Sequence, residues 1–163
     1  FAYHWRLFFA HERGTSVELQ TALMSVQYRS AITLALSRPY LVTNRGVQTA
    51  LQLRCARKWT VQQLIDYVVG GKQRHKFRFD IANGSGCAFW CLTVIWDLEE
   101  TGMFERGTTA AAQKHRDDLR INDPRSLPVQ MPRGFFYART RKEAHVRPPP
   151  PAGKCLTKLV AAI

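Results

Sequence analysis

Cys87 is the residue with the most chemistry gathered around it. It stands in Asn83-Gly84-Ser85-Gly86-Cys87-Ala88-Phe89-Trp90-Cys91, where a Gly-rich turn runs directly into an apolar stretch. Cys87, Trp90, Cys91, Val94, Ile95 and Leu98 share one face at helical spacing, and Gly102 follows as a terminator. With Ser85 as the cap, Cys87 falls in the first turn. There the backbone N–H groups and the helix dipole favour a thiolate. Glycines let a substrate approach the backbone closely, and the N–H groups at Gly86 and Cys87 could hold an oxyanion. The plain alternative is a small hydrophobe packed in the core, the commonest use of a helix cysteine.

A nucleophilic thiol needs a base, usually His, and a polar group to orient that base. The chain offers His4, His11, His75, His115 and His145. His4 lies within a first strand beside Trp5, and His11 borders the first turn. His75 starts a strand next to the cysteine helix, while His115 and His145 fall in weakly patterned segments. No metal is expected. Cys55, Cys87, Cys91 and Cys155 form no C-x-x-C pair, and Cys87 with Cys91 lacks a second ligand pair. No cofactor motif occurs either. Four scattered cysteines make no disulfide scaffold, which points to a reducing, intracellular compartment.

The elements that must position these residues read as follows. Tyr3–Phe9 is aromatic-rich and ends at Glu12-Arg13-Gly14-Thr15. Val17, Leu19, Thr21 and Leu23 alternate with Glu18, Gln20 and Ala22, so the first two runs predict a hairpin. Ile32, Leu34 and Leu36 continue the alternation to Pro39, and Asn44-Arg45-Gly46 is a turn signal. Val47–Arg57 reads as a fourth strand, with a helix as the alternative. Thr60 and Gln63 form a capping-box pattern ahead of Leu64, Ile65, Val68 and Val69, and Gly70-Gly71 ends that helix. Lys76–Ile81 returns to strand. Asp97, Glu99 and Glu100 sit at the C-terminal end of the cysteine helix, where its dipole disfavours them.

A His on an early strand, followed several strands later by Gly-Cys at the start of a core helix, resembles the order in circularly permuted papain-like enzymes. These include NlpC-type cell-wall peptidases, lecithin:retinol acyltransferase-like proteins and the permuted deubiquitinase-like group. More closely, HWRLFF, SVELQ, WTVQQLIDYVVGGKQRHKFRF and GSGCAFW resemble the pattern of an uncharacterised fungal domain-of-unknown-function family, over roughly residues 3–104. The resemblance implies an α+β fold, an antiparallel sheet packed on a central cysteine-bearing helix, and a Cys87–His4 pair. It implies no known substrate. Glu18 and Gln20, on the strand after His4, are both candidates for the orienting group.

The remainder is organised by charge and proline. Residues 1–104 are expected to form the α+β domain. Residues 105–120, with Thr108–Arg120 as a polar helix, would be a helix or linker. Residues 121–163 read as a largely irregular, Pro-rich basic tail that is dispensable for folding. The run Pro148–Pro151 favours an extended conformation, and Lys154–Ile163 reads as a short terminal helix or as disordered. Lys plus Arg number 24 against 12 Asp plus Glu. Residues 1–120 carry 16 basic and 10 acidic side chains and residues 121–163 carry 8 and 2, so each part is +6. Such a balance favours encounters with nucleic acid or an anionic surface, here through the tail. Apolar residues at 45% exclude disorder throughout, and no apolar run approaches the ~18 residues of a spanning helix. Phe1–Ala10, interrupted by His4 and Arg6, is too short for a signal peptide.

Three functions remain. The first is a thiol-dependent hydrolase or acyltransferase on amide or ester bonds. The second is a non-enzymatic basic binding module for nucleic acid or protein, with Lys72, Arg74, Lys76 and Arg78 and the tail interleaved with Phe135, Phe136 and Tyr137. The third is a catalytically silent papain-like scaffold.

Overall fold

Alternating apolar residues become strands of one antiparallel sheet. The computed structural model describes residues 4–11, 15–25, 27, 30–38, 49–80, 86–124, 131, 133–137 and 156–162. Strand β1 (Arg6–His11) pairs with β2 (Ser16–Ser25), Leu7 opposite Leu19 and Phe9 opposite Val17. β2 in turn pairs along its length with β3 (Ser30–Arg38), with a register shift between Leu23 and Ser25. β4 (Ala50–Arg54), β5 (Phe77–Arg78), β6 (Phe135–Phe136) and β7 (Leu156–Ala162) complete the order β4-β7-β1-β2-β3-β5-β6. The expected α+β architecture is present, and the hairpin at the start is β1–β2. The turn signals at residues 12–14 and 44–46 lie outside the described residues.

Two expectations need correction. Among the described residues, the strand expected over Lys76–Ile81 is confined to Phe77–Arg78, where β3 meets it at the pair Ser30–Arg78 and β6 supplies two partners; Ile81 lies outside them. The C-terminal segment, read as a short helix or as disordered, contains strand β7 between β1 and β4. Leu7 faces Ala161 and Leu51 faces the same residue from the other side. A short apolar run has no helical or strand signature of its own, and pairing with two distant strands decides it. The polyproline run 148–151 lies outside the described residues.

Helices cover one face. Thr60 caps α1 (Val61–Ile65) through the capping box expected from the sequence. Its hydroxyl accepts from the Gln63 N–H at 3.2 Å, and the Gln63 side chain accepts from the Thr60 N–H at 2.8 Å. The helix continues as a π-helical turn over Asp66–Gly71. α2 (Cys87–Glu100) lies against β1, β2 and α3 (Thr108–Asn122). Trp90, Cys91, Val94, Ile95 and Leu98 are all buried with Trp5, Leu7, Phe9 and Leu19 in one core. Full burial of each large apolar side chain contributes about 1.5–3 kcal/mol, so this contact fixes where the N-terminus of α2 sits. Among the described residues, no helix is long and apolar enough to cross a membrane.

The acids at the end of α2 have partners that the isolated helix lacks. Asp97 is 1% exposed and pairs with Arg74 at 2.5 and 2.8 Å, with the Lys72 ammonium at 3.7 Å. Tyr67 donates to the Asp97 carbonyl, and the Trp90 indole donates to the Arg74 carbonyl. Together these bonds clamp α2 to the segment between the π-turn and β5. Glu99 turns to the next helix. Its carboxylate accepts from the N–H groups of Gly107 and Thr109, both at 2.7 Å, and from the Thr109 hydroxyl at 2.6 Å. It therefore satisfies free donors at the start of α3, where a negative charge is favoured.

Candidate functional site

Three side chains, from the segment before β1, from β2 and from α2, come together at the N-terminal end of α2. Gly86 is the N-cap of this helix, with φ 76°. That left-handed conformation suits glycine, and it brings the chain out of the Gly-rich turn directly into Cys87. The cap is thus Gly86 and not Ser85, which lies with residues 81–85 outside the described residues. Gly86, the N-cap, brings no side-chain cap to α2. Its first-turn N–H groups consequently surround Cys87 without a side-chain oxygen of the N-cap competing for them.

His4, expected within the first strand, lies two residues ahead of β1 and is exposed. Its ring hydrogen-bonds the Cys87 side chain. Its Nε2 also lies 2.7 Å from Oε1 of Gln20, on β2. An amide oxygen only accepts, so Nε2 carries a proton in its bond to Gln20. The hydrogen bond to Cys87 raises the His4 pKa above its ordinary value. Burial opposes this, and the bond to Gln20 and the charge on Cys87 reinforce it. Both partners therefore favour the protonated ring, as a thiolate–imidazolium pair requires.

The structure distinguishes the two acceptor candidates on β2. Glu18 lies opposite Phe8 and is 1% exposed, and its carboxylate takes a contact of 3.4 Å from Arg6. Arg6 is itself stacked over Phe8, with its guanidinium 5.4 Å from the ring centre. Gln20, two residues further along, is the one beside His4. Glu18 and Gln20 point the same way from a strand, so the pattern alone could not separate them.

The other candidates lie elsewhere. His75 is half-buried in the segment before β5, and His115 is on α3, where burial pushes its pKa down against the pull of Asp118. His11 ends β1, and His145 lies outside the described residues. Cys91 is fully buried one turn inside Cys87. Burial first, and then the charge on Cys87, push its pKa well above the ordinary value. Cys55 is half-buried, bridges to Phe104 and is pushed up to about 11 by burial. Cys87 itself is only 2% exposed. No cluster of three His, Cys, Asp or Glu suited to a metal occurs among the described residues.

Residues 1–137 match the family model described as "Domain of unknown function (DUF7770)". The chain belongs to the DUF7770 family. No curated protein and no solved structure matches it. The DUF7770 match includes His4, Gln20, Gly86 and Cys87. It extends past the residues 3–104 covered by the resemblance, taking in α3 and β6, and ends at Tyr137. Strand β7 lies beyond it.

Proposed function

We propose that this DUF7770 chain performs thiol-dependent acyl transfer on an amide or ester, as a hydrolase or an acyltransferase. The observation that carries the reading is the shared position of His4, bonded to Cys87 on one side and to Gln20 on the other. Cys87 is the nucleophile, His4 the acid–base and Gln20 the orienting group. The order of these residues along the chain, with His4 just ahead of the first strand and Cys87 at the head of the core helix, fits a permuted papain-like arrangement.

The reaction follows from the geometry. The thiolate of Cys87 attacks the carbonyl carbon and an S–C bond forms. Negative charge moves to the carbonyl oxygen, where the N–H groups at Gly86 and Cys87 would stabilise it. The tetrahedral intermediate collapses, the C–N or C–O bond breaks, and His4 gives its proton to the leaving group. Water or an acceptor hydroxyl or amine then attacks the thioester. His4 takes that nucleophile's proton and the S–C bond breaks, which restores the thiolate. Gln20 keeps Nε2 protonated throughout and so holds the ring beside the sulfur.

The 2% exposure of Cys87 favours a second reading, in which the same fold is a silent scaffold. Hydrolysis of p-nitrophenyl acetate separates the two. An enzyme releases an initial burst of nitrophenolate that Cys87→Ser abolishes and His4→Ala slows by about 10²-fold or more. Equal, slow release by the wild type and Cys87→Ser identifies the scaffold.

A further inference from the structure

The basic and aromatic residues that the acyl-transfer reading leaves unused come together on β5 and β6. Phe77 pairs with Phe136 and Arg78 with Phe135, and Tyr137 extends the ladder by donating its N–H to the Lys76 carbonyl at 3.1 Å. Gly134 permits this approach. It has φ 50°, and a Cβ there would lie 2.5 Å from the Arg78 carbonyl oxygen. The inner side of the pair is apolar, with Phe77 packed on Phe79, Phe89 and Phe136. Toward solvent, Phe135 and Tyr137 are each 47% exposed. The Arg78 guanidinium lies 6.0 Å from the first ring and 5.2 Å from the second. Residues i and i+2 of a strand lie about 7 Å apart on one side, so the two rings form a short platform with a cation against it.

Charge selects the occupant. The segment Lys72–Arg78 carries four Lys and Arg and no acid, on a chain of net charge +12. Asp97 engages Lys72 and Arg74 but is itself buried, so it puts no negative charge on this surface. The Lys76 ammonium donates to the neutral amide of Gln73 at 2.9 Å, and Arg78 and Arg133 are exposed. The acid that follows in this stretch, Asp80, is half-buried. We infer that the β5–β6 edge binds single-stranded nucleic acid. Unpaired bases stack on Phe135 and Tyr137, and phosphates meet Lys76, Arg78 and Arg133. Acidic side chains offer the rings no aromatic face to stack on, and a duplex keeps its base faces inside its own stack.

The test uses the full chain and a fluorescein-labelled 12-nucleotide single strand of mixed sequence, followed by anisotropy. Binding should be tighter than to a duplex of the same sequence. It should weaken about tenfold or more in F135A/Y137A, both side chains being half-exposed. Arg78→Gln should reduce the slope of log affinity against log salt by about 0.7, the loss of one phosphate contact. Cys87→Ser should bind as the wild type does, so failure of acyl transfer and failure of this inference are separately readable. Ultraviolet crosslinking of the wild-type complex, mapped by mass spectrometry, gives an independent readout and should mark Phe135 or Tyr137. Unchanged binding by a folded F135A/Y137A chain would overturn the inference. So would equal affinity for duplex, for polyglutamate or for anionic vesicles, or crosslinks confined to other segments.

Discussion

At the scale of single residues, the site depends on a choice between two side chains of one strand. Glu18 and Gln20 leave β2 on the same side, and either could reach a ring on the neighbouring strand. Register separates them: Glu18 falls opposite Phe8 and is held by Arg6, while Gln20 reaches His4. A neutral amide here has a chemical consequence. It fixes the ring tautomer without adding a negative charge that would hold the imidazolium too tightly. Gln20→Ala should therefore leave the fold intact and slow alkylation of Cys87 near neutral pH several-fold, because the ring is no longer held beside the sulfur. A rate equal to that of the wild type, measured with iodoacetamide, would remove Gln20 from the site. The Gly-Cys helix start made Cys87 legible in the sequence, and the pairing with His4 came from the resemblance to permuted papain-like enzymes. It left the partner of His4 open, because period-2 alternation carries no register.

Among the elements, α2 and α3 are joined by a side chain that the isolated helix would reject. Glu99 sits at the wrong end of its own dipole and at the right end of the next one. Burial raises its pKa, but the hydrogen bonds from Thr109 and Gly107 and the nearby Arg106 outweigh it and hold the carboxyl below its ordinary range. The folded value thus lies below the unfolded one. Its contribution is present above about pH 4.3, the unfolded value, and is lost as pH falls through the lowered folded value. Glu99→Gln should cost about 1 kcal/mol at pH 7, as loss of a solvent-screened helix cap does, and the difference from the wild type should fade below about pH 4. Denaturant midpoints at the two pH values check this. A constant difference would mean that the amide loses packing and not charge. Asp97 makes a related point: an acid at the disfavoured end of its helix was visible in the sequence, but its partners Arg74 and Lys72 lie over twenty residues upstream. Local pattern could not name them.

For the molecule as a whole, the strands with clear alternation were legible, and those defined only by their partners were not. β1 announces itself as an aromatic-rich run, β2 and β3 by period 2, and α1 by its capping box. β7 does not, because Leu156–Ala162 follows a proline-rich stretch and its partners, β1 and β4, lie about a hundred residues or more earlier. Loop closure over such a distance leaves no local trace. Its position between β1 and β4 still gives it a structural role beyond the DUF7770 match. Deleting residues 156–162 strips the ladder from one side of β1, the strand that follows His4, and detaches β4 from the sheet. The melting temperature should fall by several degrees or more, and His4 should lose its fixed place beside Cys87. An unchanged melting temperature would show that β7 adds little to the sheet.

The central claim, that His4 and the start of α2 activate Cys87, is tested most directly by comparing the two cysteines of one helix. Alkylation by iodoacetamide is followed across pH 5–10 and read separately at Cys87 and Cys91 by mass spectrometry. Cys91 is pushed well up by burial and should label slowly at every pH in that range. Cys87, bonded to a ring that favours protonation, should label fast and keep its rate well below the ~8.5 at which a free thiol loses half its thiolate. His4→Ala should abolish that advantage. Equal, slow labelling of Cys87 and Cys91 would contradict the account and leave two buried core thiols on a silent fold.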